Sequence, residues 1–109
     1  MTTTSTNTTN KPTTEQLNAW KKEHGVLHSL STEDGYEAIV RSPRLTDLEQ
    51  AMDKSKKPGA RSLDFNRVLF RRCCLWNSDG LMDDEDRQLQ ILTAIGSISD
   101  VKEATVKKI

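Results

Sequence analysis

Apolar residues recur along this chain first at helical spacing, then at alternate positions, then at helical spacing again, and the two changes of period mark its elements. Leu17 and Trp20 share a face at i, i+3 behind a weak cap at Thr14-Glu15-Gln16, and Gly25 supplies a stop. Trp20 is expected to anchor this short helix on the core. From Val26 to Arg41 the period becomes two, with Val26, His28 and Leu30 on one face, and Tyr36, Ala38 and Val40 alternating with Glu37 and Ile39. Glu33-Asp34-Gly35 between two such runs signals a hairpin, with strands at about 26–31 and 36–41. Two strands alone are marginal, so the helices must cover one face.

Ser42-Pro43 ends the second strand and can open a helix, with Thr46-x-x-Glu49 as a further cap. Leu45, Leu48 and Met52 form its inner stripe, and it should run to about Lys56. After the break at Lys57-Pro58-Gly59, the stretch from Ala60 to Trp76 reads as the central helix. It is apolar on two sides. Phe65, Leu69 and Trp76 make the main stripe, while Leu63, Phe70 and Cys74 lie roughly opposite. Such a helix is either covered by its own chain on both sides or meets another chain.

Asn77-Ser78-Asp79-Gly80 is a turn, and Asp83, Asp84, Glu85 and Asp86 then crowd the start of a helix whose apolar face is Leu89, Leu92 and Ile95. Ser97 to Ile109 reads as a short last helix. The order is therefore a short N-terminal helix, a β-hairpin and a bundle of three to four helices, an α+β domain.

Composition adds a boundary. Residues 1–13 are Thr-rich with no apolar residue after Met1, too little to offset the entropy of ordering, so they are expected to be a disordered tail before a single domain at 14–109. The 16 basic and 16 acidic residues cancel, so whole-chain charge drives the protein onto neither nucleic acid nor anionic membrane. The absence of a long apolar run or a signal-peptide segment points to the cytoplasm. Adjacent Cys73 and Cys74 rarely bridge each other, and reduced, buried thiols agree with that address.

Charge is nevertheless segregated. Seven basic residues (Lys54, Lys56, Lys57, Arg61, Arg67, Arg71 and Arg72) stand against one acid, Asp64, between 54 and 72, whereas five acids and no base lie between 77 and 86. A basic helix after a Pro-Gly turn makes a helix-turn-helix DNA-binding regulator using 60–76 the alternative reading. Against it, the helix has little polar face left for a groove, and the acids that follow repel phosphate. Arg72 falls inside the main apolar stripe, so it should either extend along Trp76 to solvent or pair with a carboxylate such as one at 83–86.

Candidate chemistry is sparse. Aligned on Gly80 as the sixth position of a calcium loop, Asn77 and Asp79 fall on ligand positions, but Leu75 occupies the first and Asp86 replaces the final Glu. A turn followed by an acidic helix start explains the same residues. His24, His28, Cys73 and Cys74 show none of the paired zinc spacings. The chain also lacks a nucleophile elbow, a phosphate-cradling glycine loop and a dinucleotide fingerprint, so neither an enzyme nor a cofactor or metal is expected.

Residues 14–109 resemble the small tail assembly chaperones of tailed bacteriophages and prophages. The resemblance rests on Trp20-Lys21-Lys22 before a short hairpin, Arg41-Ser42-Pro43 leading into Asp47-Leu48, an apolar and basic helix ending in Cys73-Cys74, and the closing Val106-Lys107-Lys108-Ile109. It implies a non-enzymatic protein that binds the tape measure protein while the tail tube assembles. On that reading Leu63, Phe70 and Cys74, bordered by Arg67 and Arg71, would receive an apolar helix from the partner. A homo-oligomer is also compatible with the second stripe.

Overall fold

A computed structural model describes residues 11–98 and 106–109 of the chain. Among the described residues, four helices and a three-stranded antiparallel sheet form an α+β domain, in the order α1 (Thr14–His24), β1 (Leu27–Ser31), β2 (Glu37–Arg41), α2 (Leu45–Lys56), α3 (Asp64–Cys73), β3 (Cys74–Asn77) and α4 (Glu85–Ile98). A 3-10 turn at Leu81–Asp83 precedes α4. The first ten residues of the Thr-rich tail lie outside the described residues. So do 99–105 of the expected last helix, whose Ser97 and Ile98 instead complete α4 and whose 106–109 carry no regular structure.

Local chemistry accounts for the ends of the elements. Thr13 rather than Thr14 caps α1, its hydroxyl accepting the Gln16 N–H at 3.2 Å. None of the α1 side chains is fully buried, and Trp20 is half-buried. The hairpin turns through Glu33-Asp34-Gly35, with the Gly35 N–H donating to Thr32 O at 3.1 Å and Gly35 at φ +89°, a conformation that side chains disfavour. Asp84 caps α4, its carboxylate accepting the Arg87 N–H at 3.2 Å.

Leu30, Ala38 and Val40 form one face of the sheet and pack with Leu69, Phe70, Cys73, Leu81, Ile91, Leu92 and Ile95 of the helical layer. The third strand was not foreseen. The chain leaves α3 at Cys73 and pairs at once along the free side of β2, with Ala38 opposite Asn77, Ile39 opposite Trp76 and Val40 opposite Cys74. The irregularity between Ile39 and Val40 leaves Leu75 without a partner in the register, as a bulge does. Buried Ser78 extends the pairing beyond the strand, its Oγ accepting the Glu37 N–H at 2.9 Å while its own N–H donates to Glu37 O at 2.8 Å.

Trp76 therefore belongs to the sheet. The expected single stripe of Phe65, Leu69 and Trp76 does not exist as a helix face, because the hydrogen-bonding edge of β2 outweighs helical continuation past Cys73. The inner face of α2 is also corrected. Leu45 and Met52 are exposed at 72% and 45%, and Asp47 and Ala51 are buried in their place. On α4, Ile91 joins Leu92 and Ile95 inside, and Leu89 turns outward.

Asp47 explains the rotation of α2. Its carboxylate accepts Arg41 Nη1 at 2.6 Å, Arg41 Nη2 at 3.1 Å, Arg72 Nε at 2.7 Å and the Arg44 N–H at 2.8 Å. The last bond caps the helix from its third residue; the reciprocal half of a capping box is impossible, since a guanidinium carries no acceptor. Arg72 is thus paired with α2, not with the acids at 83–86. The Arg41 guanidinium above all holds the Asp47 carboxyl far below the usual carboxylate range despite its burial.

Candidate partner-binding groove

α3 and α4 approach closely at one point and leave a groove beside it. The Asn66 amide donates to Leu92 O at 2.9 Å, and Gly96 faces that amide so closely that an added Cβ would sit 3.2 Å from Asn66 Nδ2. A groove of about 520 Å³ is lined by Arg61, Leu63, Arg67, Glu85, Asp86, Gln88, Leu89 and Leu92. It shares Arg61, Arg67, Gln88 and Leu92 with a hollow of about 300 Å³ whose further walls are Phe70, Arg71 and Met82.

Three leucines and four charged residues share the lining of the groove. Leu63 is half-buried, Leu92 is buried, and Leu89 remains 53% exposed. On the α3 side, Arg67 is held by Asp64 at 2.9 Å, and Asp64 also accepts the Arg61 N–H at 2.8 Å. That backbone N–H, followed by the Arg67 side chain, lowers the Asp64 pKa, so the carboxylate stays charged and fixes the turn leading into α3. Glu85 and Asp86 supply negative charge on the α4 side, and Gln88 is fixed by donating to Met82 O at 2.7 Å.

Four of the five residues expected to bind a partner, Leu63, Arg67, Phe70 and Arg71, line these joined hollows. Phe70 does so with only 6% of its surface, and the rest of its ring is core. Cys74 does not take part. It lies on β3, where its thiol faces Trp76 O at 3.4 Å. The stripe as first drawn is therefore not one open surface, because Phe70 is covered from within the chain and Cys74 has left the helix. The α4 wall was missed, since Leu89 reads from its spacing as a core residue.

No cysteine or histidine lines the groove. Burial pushes the Cys73 and Cys74 thiols up to about 11, which keeps both protonated near neutral pH. His28 Nε2 lies 3.0 Å from Ser42 Oγ, away from both cysteines in sequence and outside the groove lining. Among the described residues no group of three or more His, Cys, Asp or Glu side chains is placed to hold a metal ion, and no helix is long and apolar enough to cross a membrane. Compared with protein-family models, with curated proteins and with solved structures, the chain finds no match.

Proposed function

We propose that this protein is a non-catalytic binding module that grips an apolar helical segment of a partner in the α3–α4 groove, as a tail assembly chaperone would hold a tape measure protein. The observation that carries the reading is Leu89, a large apolar side chain left 53% exposed at the mouth of a groove whose other apolar walls are Leu63, Leu92, Phe70 and Met82. An exposed leucine beside a partly buried apolar floor offers a surface that the apolar face of a helix can cover. Arg61 and Arg67 on one rim and Glu85 and Asp86 on the other favour a helix with acidic and basic flanks in one orientation. The partner class comes from the sequence resemblance alone.

A recognition-helix role for α3 is less well supported. Asp64, Leu69, Phe70 and Cys73 are buried, and Arg72 and Arg67 are engaged by Asp47 and Asp64, so little of the ten-residue helix is free to enter a DNA groove. Co-expression with a tape measure protein from the same genome, followed by hydrogen exchange on the purified complex, tests the proposal. Added protection at 61–67 and 85–92 is expected; failure of the two proteins to co-purify, or protection confined to other segments, contradicts it.

A further inference from the structure

A second groove lies between α2 and α3; it shares Arg61, Arg67 and Arg71 with the hollows beside α4, but its Lys54 and Lys57 take no part in the partner reading. Two hollows of about 540 and 390 Å³ share Lys54, Val68 and Arg71. The cations around them are Lys54, Lys57, Arg61, Arg67, Arg71 and Arg72, and the only carboxylates in the lining are those of Asp53 and Asp64. Asp64 is occupied by Arg67 and the Arg61 N–H, and Arg72 is occupied by Asp47. Lys54, Lys57 and Arg71 form no ion pair among the described residues.

The complementary charge lies elsewhere on the same chain. Asp79, Asp83, Asp84, Glu85 and Asp86 are all exposed, and among the described residues none of them forms an ion pair. The chain's formal charge is zero overall, so this separation of charge is local. We infer that it self-associates head to tail, the acidic turn 79–84 of one copy seated in the Lys54, Lys57 and Arg71 groove of the next. The two contacting surfaces differ, so the contact is heterologous and propagates into a ring or filament instead of closing as a symmetric dimer. Nucleic acid suits the groove less well, because Asp53 stands in its lining and Glu85 and Asp86 face Arg61 and Arg67 across the neighbouring groove, where they repel phosphate.

Sedimentation of the full chain tests this with two variants, Lys54→Glu/Lys57→Glu and Asp79→Lys/Asp83→Lys, each checked by circular dichroism for an unchanged fold. The wild type should sediment as species larger than a dimer at about 50 mM salt and as a monomer at about 500 mM, where screening removes the attraction. Each variant alone should be arrested, because a normal patch always meets a reversed one; in an equimolar mixture every junction pairs either two normal or two reversed patches, so alternating assemblies larger than a dimer should return. A wild type that stays monomeric at low salt and at its highest soluble concentration overturns the inference, as does a mixture that recovers nothing larger than a dimer. Binding of duplex DNA that Lys54→Glu/Lys57→Glu abolishes, with no self-association, assigns the groove to nucleic acid and also overturns it. Lys54 and Lys57 do not line the α3–α4 groove, so failure here leaves the partner reading standing.

Discussion

Arginines flank α3 on both sides, and the two sides treat them differently. Toward α2, Arg41 and Arg72 close on the buried Asp47 carboxylate with three guanidinium bonds of 2.6 to 3.1 Å, and the Arg44 N–H completes its shell. Toward α4, Arg61 and Arg67 share Asp64 at the edge of an open groove, and Glu85 and Asp86 across it form no ion pair with them. The closed cluster around Asp47 joins β2, α2 and α3, and its charges serve the fold, apart from Lys54, Lys57 and Arg71 beside it, which form no ion pair among the described residues. The open side keeps apolar surface and charge where another molecule can reach them.

The largest expected effect is that of Phe70→Asp, which places a carboxylate in the core where the ring is 6% exposed; it should remove more than about 4 kcal/mol and leave no cooperative thermal transition. A folded Phe70→Asp protein would reopen the ring itself as a partner surface. Asp47→Ala comes next. It strands two guanidiniums and uncaps α2, so denaturant titration should show a loss of about 3–5 kcal/mol, whereas a loss below about 1 kcal/mol would mean that Asp47 does not hold the three elements together. Arg72→Ala leaves the bidentate Arg41 pair intact, and the Arg72 side chain is already 38% exposed, so the expected cost is about 1 kcal/mol.

Acid titration separates the same two sides. The pKa values of Asp47 and Asp64 are lowered in the fold, so the stability they contribute is present above the ordinary carboxylate value of 3.8 and is lost as pH falls through the lowered folded values. Asp47→Asn should flatten the fall in unfolding free energy between about pH 4 and pH 2 more than Asp64→Asn does. Equal flattening by both would remove the distinction between a closed and an open side.

The hairpin, the order of helices and the acidic start of α4 were legible because each rests on local chemistry: Asp34-Gly35, the break at Pro58-Gly59, and carboxylates at a helix start. What was not legible depends on long-range partners. Cys74, Leu75 and Trp76 fit a helix by spacing and become a strand only because β2 offers an unpaired edge. Leu45 and Met52 have core spacing and face solvent, since α2 is rotated by the pairing of Asp47 with arginines 6 and 25 residues away, and Leu89 faces solvent on α4, where Ile91, Leu92 and Ile95 are the buried residues. Four of the residues expected to bind a partner fell in the groove because three of them lie along α3 and Leu63 directly precedes it; the α4 wall could not be seen from α3 alone.

The open groove is tested most directly by Leu89→Asp, for which the smallest effect on folding is expected. With the side chain 53% exposed, its unfolding free energy should change by no more than about 0.5 kcal/mol. Calorimetric titration with a purified tape measure segment that binds the wild type should show binding lost in the same variant. Binding retained at wild-type affinity by a folded Leu89→Asp protein would contradict the assignment of the α3–α4 groove.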